Sequence, residues 1–273
     1  MKKFFALCLA AVAVCALMSG CSKKSGSQSR LEAIRAAGKI VVYTNPEFPP
    51  YEYLGEAGII AGSEIDLVNF IADKIGVKAE FVSAEFDSII GTVTTGKADM
   101  GASGFTITEE RGQIVDFSIP FIRSVQYLIL PENSAIKCVE DLAGKRIGGQ
   151  QGTTGLTMIE DCLREGILKD KGAIAKAFNN APDATVALVS GQLDAVVIDE
   201  LVAISLAKKN PGYKAIPMVK ADGEGLQAPE DFGIIIAKGC PELLAIINDA
   251  ISEARESGLM AEWQAKHTAA SAQ

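Results

Sequence analysis

Short apolar runs alternate along the chain with segments in which apolar residues recur at every third or fourth position. Three runs predict strands: residues 39–44, 77–82 and 98–103. Residues 64–75 have helical spacing and end at Gly76, and Asp87 could cap a further helix that ends at Gly96. Strands that alternate with helices are typical of crossover connections, so this part predicts an α/β lobe with a mostly parallel sheet.

The second half of the chain repeats the pattern of the first. The sequence TGKADM at 95–100 matches SGQLDA at 190–195, and each is a predicted helix end, a glycine and a strand. A strand at 146–149 and a helix at 156–163 precede the second copy. We therefore predict a second α/β lobe, whose mostly parallel sheet is again flanked by helices.

The end of the chain is predicted to return to the first lobe. A strand at 232–237 and a helix at 241–256 follow the second lobe, and residues 259–266, with Trp263, close the fold. The chain would then cross between the lobes near 122–127 and near 226–231, and two crossings make a hinge. The predicted division is residues 31–125 with 228–267 in lobe 1, 126–227 in lobe 2 and 268–273 as a tail.

Residues 1–20 have the features of a secretory signal peptide. Two lysines precede an apolar run at 4–18, and small residues follow the run before Cys21. The run is too short to remain in a bilayer as a spanning helix. Residues 21–30 are polar and predict a flexible tether. We therefore expect an exported protein whose folded part lies outside the cytoplasm.

Charge and histidine content exclude several functions. The chain has 273 residues and a formal net charge of −8 at pH 7, and it has no lysine and arginine cluster to offset phosphates. Nucleic acid is therefore not an expected partner. The only histidine, His267, lies near the C-terminus, which excludes Ser-His-Asp, Cys-His and His-metal sites. We expect neither a metal nor a cofactor.

Three of the six cysteines are expected in the folded part, because two would leave with the signal peptide and one begins the tether. They are Cys138, Cys162 and Cys240. Three buried or unreactive thiols are the main expectation, and a disulfide between Cys138 and Cys162 is the alternative.

Polar candidates for a ligand site follow the predicted strand at 98–103. Gly104, Thr106 and Arg111 come after this strand, and ligands of open α/β sheets bind above the carboxyl ends of the strands. A guanidinium suits a carboxylate because it can donate two parallel hydrogen bonds to it. Arg111 therefore predicts a carboxylate site, and the alternative is a surface arginine paired with a neighbouring glutamate.

The second lobe offers two complementary candidates. Thr153 and Thr154 form a turn between a strand and a helix, whose free N–H groups suit an anion, although a plain turn is the alternative. Asp199 follows a buried strand and aligns with Gly104 in the repeat. Such a carboxylate is usually exposed or a helix cap, but here it could meet an ammonium. Arg111, the turn and Asp199 together describe a site for an α-amino acid.

An aromatic loop follows the first strand. Residues 45–53 read NPEFPPYEY, and the three prolines keep this segment from becoming a helix. Its aromatic residues, Phe48, Tyr51 and Tyr53, could fill the core of the lobe or form an apolar wall for a ligand. The position of the loop at the strand end favours the wall.

With these residues in place, the chain resembles the bacterial extracellular solute-binding proteins of family 3, the polar amino-acid receptors of ABC importers. The resemblance covers about residues 31–266 and rests on the motifs NPEFPPYEY, SEIDLVNFIADKIGV, FDSIIGTVTTGKADMGASGFTITEERGQIVDFSIPF, DLAGKRIGGQQGTTG and GQLDAVVIDE. It implies a two-lobe, type II periplasmic-binding-protein fold. It also implies that an L-amino acid binds between two closing lobes and is delivered to an ABC permease and its ATPase.

The resemblance also assigns residues. Arg111 would bind the ligand carboxylate with the Thr106 and Thr154 amides, and Asp199 would hold the ammonium with the Gly104 carbonyl and the Thr106 hydroxyl. The full predicted ligand site is Asn45, Phe48, Tyr51, Phe86, Ser103, Gly104, Phe105, Thr106, Arg111, Gln150, Thr153, Thr154 and Asp199. The sequence MSGC resembles a lipobox, which implies lipidation of Cys21 and anchoring of a monomer at the extracytoplasmic face of a membrane.

Departures from the family pattern leave the ligand open. The common GFDIDL is GSEIDL here, at 62–67. Asn45 stands where several basic-amino-acid binders carry Asp, although Glu47 and Glu85 could lie nearby. Gln150 favours a polar uncharged ligand side chain, whereas two aromatic residues favour an apolar or sulfur-containing one.

Two other functions are compatible with the scaffold. A few family members resemble dehydratases that act on cyclic carboxylic acids, and a carboxylate could transfer the proton. A ligand-sensing domain of a signalling protein is the other alternative, and it would need a second hydrophobic span and an intracellular part. The lipobox-like sequence favours delivery of a ligand over both.

Overall fold

The computed structural model of the chain describes residues 29–271. The predicted signal peptide at residues 1–20 and the predicted lipidation site Cys21 lie outside the described residues, as does most of the predicted tether. Two lobes, each built on a five-stranded sheet, form the described part. Between residues 29 and 271, no helix has both the length and the apolar composition that crossing a membrane requires.

The helices and strands alternate along most of the chain. The helices are α1 (Arg30–Ala37), α2 (Ser63–Ile75), α3 (Phe86–Thr94), α4 (Glu109–Ile114), α5 (Thr154–Arg164), α6 (Ala181–Val189), α7 (Glu200–Lys209), α8 (Pro241–Glu256) and α9 (Leu259–Ala270). The strands are β1 (Lys39–Thr44), β2 (Glu47–Phe48), β3 (Glu52–Leu54), β4 (Ile60–Ala61), β5 (Lys78–Ser83), β6 (Met100–Gly101), β7 (Val115–Phe117), β8 (Ile122–Ser124), β9 (Gln126–Pro131), β10 (Arg146–Gln150), β11 (Ile174–Phe178), β12 (Ala195–Asp199), β13 (Tyr213–Pro217), β14 (Glu230–Phe232) and β15 (Ile235–Ala237).

The two main sheets have the same design. The first has the strand order β5-β1-β6-β15-β7 and the second has the order β11-β10-β12-β9-β13. In the first sheet β15 is antiparallel to both of its neighbours, and in the second β9 is antiparallel to both of its neighbours. The other pairs are parallel, so the prediction of mostly parallel sheets is confirmed.

The reversed strand of each sheet is the one that enters its lobe from the hinge. Strands β8 and β14 form a separate antiparallel pair in which Ser124 lies opposite Glu230 and Ile122 opposite Phe232. Strand β8 leads into β9, and β14 leads into β15. The predicted two hinge crossings are therefore confirmed, and each one continues directly into a sheet.

Burial explains why the last helices return to the first sheet. Leu67, Val68 and Ile71 on α2 are fully buried, as are Ile247 and Ile251 on α8, and all belong to one apolar cluster. Burial of each such side chain stabilises the fold by roughly 1.5–3 kcal/mol relative to exposure. The apolar face of α8 therefore fixes the C-terminal segment on the first lobe.

The aspartates of the internal repeat are structural. The backbone N–H of Val41 donates to Asp99 at 2.7 Å, and that of Arg146 donates to Asp194 at 2.8 Å. An arginine pairs with each carboxylate, Arg30 with Asp99 and Arg146 with Asp194. The Arg146 guanidinium holds the pKa of Asp194 down to about 2. The repeat therefore preserves an attachment between neighbouring strands in both lobes.

The strand predicted at 98–103 is only Met100–Gly101. A side chain at Gly101 would place its Cβ 2.6 Å from Ile235, so the antiparallel strand β15 packs directly on the backbone there. The chain then leaves the sheet, which frees Ser103 and Gly104 for the loop above it. The segment 45–53, predicted as a loop, contains β2 and β3, which join β4 in a small antiparallel sheet.

Two predictions about helix ends are wrong. Asp87 does not cap α3, because the helix begins at Phe86 and the Asp87 carboxylate accepts a hydrogen bond from the Gln151 side chain at 2.9 Å. The last helix continues to Ala270, beyond the predicted end at 266. It continues because the buried His267 ring contacts the Tyr53 hydroxyl and Asp66, each at 2.9 Å.

The three cysteines of the described chain are free thiols, so the alternative Cys138–Cys162 disulfide does not form. Cys162 is buried and the other two, Cys138 and Cys240, are half-buried. Burial is the main cause that raises the pKa of each thiol, which lowers their reactivity.

Candidate functional site

A narrow crevice between the lobes brings most of the predicted site residues together. It has about 300 Å³ of space not filled by protein atoms. Its lining is Asn45, Phe48, Phe86, Ser103, Gly104, Thr106, Arg111, Gln150, Thr153, Thr154 and Asp199. The residues from both lobes follow or end strands, so the crevice lies at the carboxyl edges of both sheets, where ligands of such sheets bind.

Tyr51 and Phe105, the other two predicted site residues, lie behind the lining and do not reach the crevice. Tyr51 is 1% exposed and stacks on Phe48 with 5.6 Å between the ring centroids. Phe105 is fully buried and stacks on Phe86 at 4.7 Å. The prediction that Tyr51 and Phe105 line the ligand site is therefore corrected. Each ring packs in the core and supports a neighbouring ring that does line the crevice.

The Arg111 guanidinium joins the two lobes. It donates to the Thr106 carbonyl of the first lobe and to the Gly152 carbonyl of the second, both at 2.9 Å. Its carbon lies 5.6 Å from the Phe86 ring centroid and 5.7 Å from that of Phe105. Burial lowers the pKa of Arg111, and nearby carboxylates oppose that shift. Arg111 is therefore a half-buried, charged group of the crevice, and its guanidinium donates to carbonyls and not to the neighbouring glutamates.

The threonine turn begins helix α5 at the crevice. Thr153 caps the helix, since its hydroxyl oxygen accepts from the Leu156 N–H, and the helix starts at Thr154. The N–H groups of a first helical turn have no partner inside the helix, so this end favours an anion. A Cβ on Gly155 would lie 2.3 Å from the Gln126 side-chain oxygen, so glycine is needed for the helix start to approach strand β9.

Asp199 is a buried carboxylate at the end of strand β12. It is 5% exposed, and its Oδ1 has no hydrogen-bond partner among the described residues. Burial, and then the charge of Glu230, raise the pKa of Asp199 to about 7. The residue stands at the N-cap position of α7 but makes no capping hydrogen bond. The free oxygen therefore suits a cation in the crevice better than it suits a structural cap.

Apart from the bonds made by Glu230 of the hinge, four polar contacts between described residues cross the crevice from lobe to lobe. One is the Arg111 hydrogen bond to Gly152. The others are Gln150 to Asn45 at 3.0 Å, Gln151 to Asp87 at 2.9 Å and the Thr106 to Thr154 hydroxyls at 3.4 Å. The structure therefore represents the lobes drawn together.

Gly104 needs to be glycine for two reasons. Its φ of +58° lies in the left-handed region, and a Cβ there would lie 2.7 Å from the Phe48 ring. The missing side chain lets the loop turn beneath the aromatic ring, and it leaves the backbone carbonyl of Gly104 at the crevice.

Two buried glutamates behind this loop were missed by sequence reasoning. The Ser103 hydroxyl donates to Glu52 at 3.1 Å, and the Gly104 N–H donates to Glu64 at 2.8 Å. Both glutamates are fully buried. Burial raises the pKa of Glu64 to about 7, and burial followed by the Glu64 charge raises the pKa of Glu52 well above its usual range. The departure from the family pattern at Glu64 was the available signal.

A third carboxylate at the crevice was also missed. Glu230 on hinge strand β14 is 6% exposed and accepts from the Thr154 hydroxyl at 3.0 Å and from the Gln126 side chain at 2.9 Å. Nothing in the local sequence APEDF indicated this position, because the donors come from segments far away in the chain.

A two-lobed α/β protein with a hinge, and with a half-buried guanidinium and a buried carboxylate lining one crevice, has the fold and site of a type II solute-binding protein. The chain belongs to the bacterial extracellular solute-binding proteins, family 3, whose model matches residues 40–270. This membership confirms the predicted family, the fold class and the extracytoplasmic substrate-binding role in an ABC importer.

Similar proteins bind different amino acids. A probable histidine-binding protein of Neisseria gonorrhoeae is 33% identical, over 98% of this chain and 96% of its own. The L-cystine-binding protein TcyJ of Escherichia coli K12 is 29% identical, over 92% of this chain and 91% of its own. The crystal structure of a Streptococcus pneumoniae amino-acid ABC transporter substrate-binding protein bound to L-arginine has a TM-score of 0.80 and 30% identity, covering 89% of this chain and 99% of that one.

We predict that Glu64 makes stability depend on pH. Its pKa is raised from 4.5 to about 7 in the folded protein, so the stability it contributes is full below pH 4.5 and is lost as the pH rises to about 7. Chemical denaturation between pH 4.5 and 8 should show a smaller loss of unfolding free energy in Glu64→Gln than in the wild type. The exposed Glu256→Gln is the matched control and should keep the wild-type slope. An unchanged slope in Glu64→Gln would contradict the prediction.

Proposed function

We propose that the protein binds an L-α-amino acid in the crevice through groups from both lobes. Arg111 binds the α-carboxylate together with the N–H groups of Thr106 and Thr154. Asp199 accepts from the α-ammonium together with the Gly104 carbonyl and the Thr106 hydroxyl. The supporting observation is that a half-buried guanidinium and a buried carboxylate with a free oxygen line the same crevice. The two charges of an α-amino acid match this pair.

The ligand side chain is proposed to lie along the Phe48 and Phe86 rings toward the amides of Asn45 and Gln150. These four side chains line one crevice, and the two amides bond each other at 3.0 Å across the lobes. An apolar wall that ends in amide groups suits a side chain with an aliphatic stem and a hydrogen-bonding tip.

Acidic residues contribute negative charge beside the amide end. The pKa of Glu47 is raised by burial and then by the charges of Asp183 and Glu85. The backbone N–H of Glu47 donates to the Asn45 carbonyl at 2.8 Å, which joins Glu47 to the crevice lining. This negative field favours a ligand whose side-chain tip is cationic. It replaces the negative charge that Asn45 lacks, at a position where several basic-amino-acid binders carry an aspartate.

Binding is proposed to proceed by closure. The ligand contacts Arg111 and Gly104 on the first lobe, and closure then brings Thr154 and Asp199 onto it. The moving units are residues 31–125 with 228–267, and residues 126–227. The hinge pair β8 and β14 and the four contacts across the crevice support this mechanism. The closed form presents its ligand to the permease and ATPase.

Export, membrane anchoring and ligand release complete the proposed function. We propose that residues 1–20 are removed, that Cys21 is lipidated and anchors a monomer at the membrane, and that the bound amino acid is released unchanged. The small residues before Cys21 and the polar tether after it support the anchor. A dehydratase-like activity could not use His267 for proton transfer in the crevice, because this histidine is buried against Asp66 and Tyr53.

We predict that one or a few L-amino acids raise the melting temperature of residues 22–273 stripped of bound ligand, with arginine or lysine far more effective than citrulline. Arg111→Ala should weaken binding by about a hundredfold or more, because an unpaired buried carboxylate costs roughly 3 kcal/mol or more. The exposed Arg164→Ala is the control. No shift with any proteinogenic amino acid, cystine or ornithine would contradict the proposal, and mass spectrometry of the recovered ligand would reveal any turnover.

We predict that affinity falls at acid pH. Asp199 must be ionised to pair with an ammonium, and its pKa of about 7 means that a proton has to leave it below that pH. Calorimetry should show affinity falling by up to about tenfold per pH unit from pH 7 toward 5, with proton release on binding. Asp199→Asn should bind weakly with a flat pH profile. A wild-type affinity that is constant from pH 5 to 8 would be the opposite result.

We predict that Cys21→Ser moves the full-length protein from the membrane fraction to the soluble extracytoplasmic fraction, because the acyl chains would be lost. Cys162→Ser is the control and should stay with the membrane. Retention of Cys21→Ser in the membrane would contradict lipid anchoring, and light scattering of residues 22–273 tests the monomer.

A further inference from the structure

Glu230 lies where the hinge, the first lobe and the second lobe meet. Its carboxylate oxygen Oε2 is 3.0 Å from the Thr154 hydroxyl of the second lobe and 3.4 Å from the Thr106 hydroxyl of the first. The same oxygen accepts from the Gln126 side chain at 2.9 Å, and Oε1 accepts from Gln227 at 3.4 Å. One buried oxygen therefore contacts both faces of the crevice.

The negative charge of Glu230 is stabilised by these donors. Within residues 29–271 no lysine, arginine or histidine lies within ion-pair distance of it, and the residue is only 6% exposed. A buried carboxylate without a paired cation requires several hydrogen-bond donors. The two threonine hydroxyls supply part of this set, and they meet only when the lobes are drawn together.

Gln126, at the start of strand β9, also positions the Glu230 carboxylate. Gln126 lies opposite Asp199 in the pairing of β9 with β12, so the glutamine stands between the two carboxylates. Its side-chain N–H donates to Glu230, and Gly155 leaves room for its oxygen beside helix α5. Glu230 is thus held in a fixed orientation while Thr154 of the second lobe approaches it.

We propose that Glu230 is a positioning residue that holds the closed form by accepting hydrogen bonds from Thr106 and Thr154 at once. It acts through Thr154, since the hydroxyl bond fixes the residue whose N–H is assigned to the ligand carboxylate. This role deepens the proposed function and rests on it. Gln126 and Gln227 lie next to the hinge crossings, and Thr106 is bridged to Phe232 within the first lobe, so the hydrogen bond from Thr154 is the one that depends on closure.

The kinetic consequence concerns release of the ligand. A hydrogen bond made only in the closed form slows opening and leaves the first encounter with the open form unchanged. Loss of a charge-assisted hydrogen bond in a buried site corresponds to about a tenfold or larger change in an equilibrium constant. We therefore expect the dissociation rate, and not the association rate, to change when Glu230 is replaced.

The test is stopped-flow binding with L-arginine, L-histidine and L-cystine as probes. Glu230→Gln should raise the dissociation rate of a bound probe about tenfold or more and change its association rate less than twofold. Asp231→Asn, which removes the neighbouring carboxylate paired with the exposed Arg123, is the matched control and should release the probe like the wild type. An unchanged dissociation rate in Glu230→Gln would overturn the proposal.

Thr154→Val is a second variant that tests the same hydrogen bond if Glu230→Gln folds poorly. It removes the hydroxyl but keeps the backbone N–H, so it should raise the dissociation rate similarly. Combined with Glu230→Gln, it should add little, because both changes break the same bond. Additive effects would overturn the proposal.

If none of the three probes binds the wild type, the proposed ligand class is wrong. In that case small-angle scattering of the protein without a probe still tests whether Glu230 holds the lobes together. The radius of gyration should be larger in Glu230→Gln than in Asp231→Asn. Equal radii would overturn the role of Glu230.

Discussion

The half-buried guanidinium of Arg111 constrains the rest of the structure. A charge taken out of water must be surrounded by acceptors, and Arg111 finds them in the Thr106 carbonyl of one lobe and the Gly152 carbonyl of the other. The group therefore carries a positive field into the crevice and joins the two lobes. The carboxylates of Asp199 and Glu230 lie in the same field, since both oppose the fall in the pKa of Arg111. A zwitterionic ligand is the chemistry that satisfies such a set of charges.

The duplicated architecture places these charges in facing lobes. Each sheet receives one reversed strand directly from the hinge, so the carboxyl edges of both sheets face the same crevice. The repeated aspartates, Asp99 and Asp194, attach neighbouring strands in each lobe and leave the ends of those strands free for the site. Repetition thus supplies the scaffold, and the residues just beyond the repeat, Gly104 and Asp199, bring a glycine from one lobe and a carboxylate from the other to the same crevice.

The sequence predicted the architecture and most of the crevice lining because both depend on local signals. Apolar periodicity predicted the helices, and position after a strand made Arg111 and Asp199 candidates, whereas Asn45, Phe86 and Gln150 were predicted through the family resemblance. The buried glutamates were missed because their partners are distant in the chain. Along the chain, Glu64 is 40 positions from its partner Gly104, Glu52 is 51 positions from Ser103, and Glu230 is 76 positions from Thr154. The continuation of the last helix was missed for the same reason, since His267 pairs with Asp66 and Tyr53.

We propose that the two lobes divide the charges of one α-amino acid between Arg111 and Asp199. The decisive measurement is a crystal structure with the amino acid that gives the largest thermal shift. We expect the α-carboxylate on the Arg111 guanidinium and the Thr154 N–H, with the α-ammonium on Asp199. A ligand bound outside the crevice, or one whose ammonium lies away from Asp199, would contradict it.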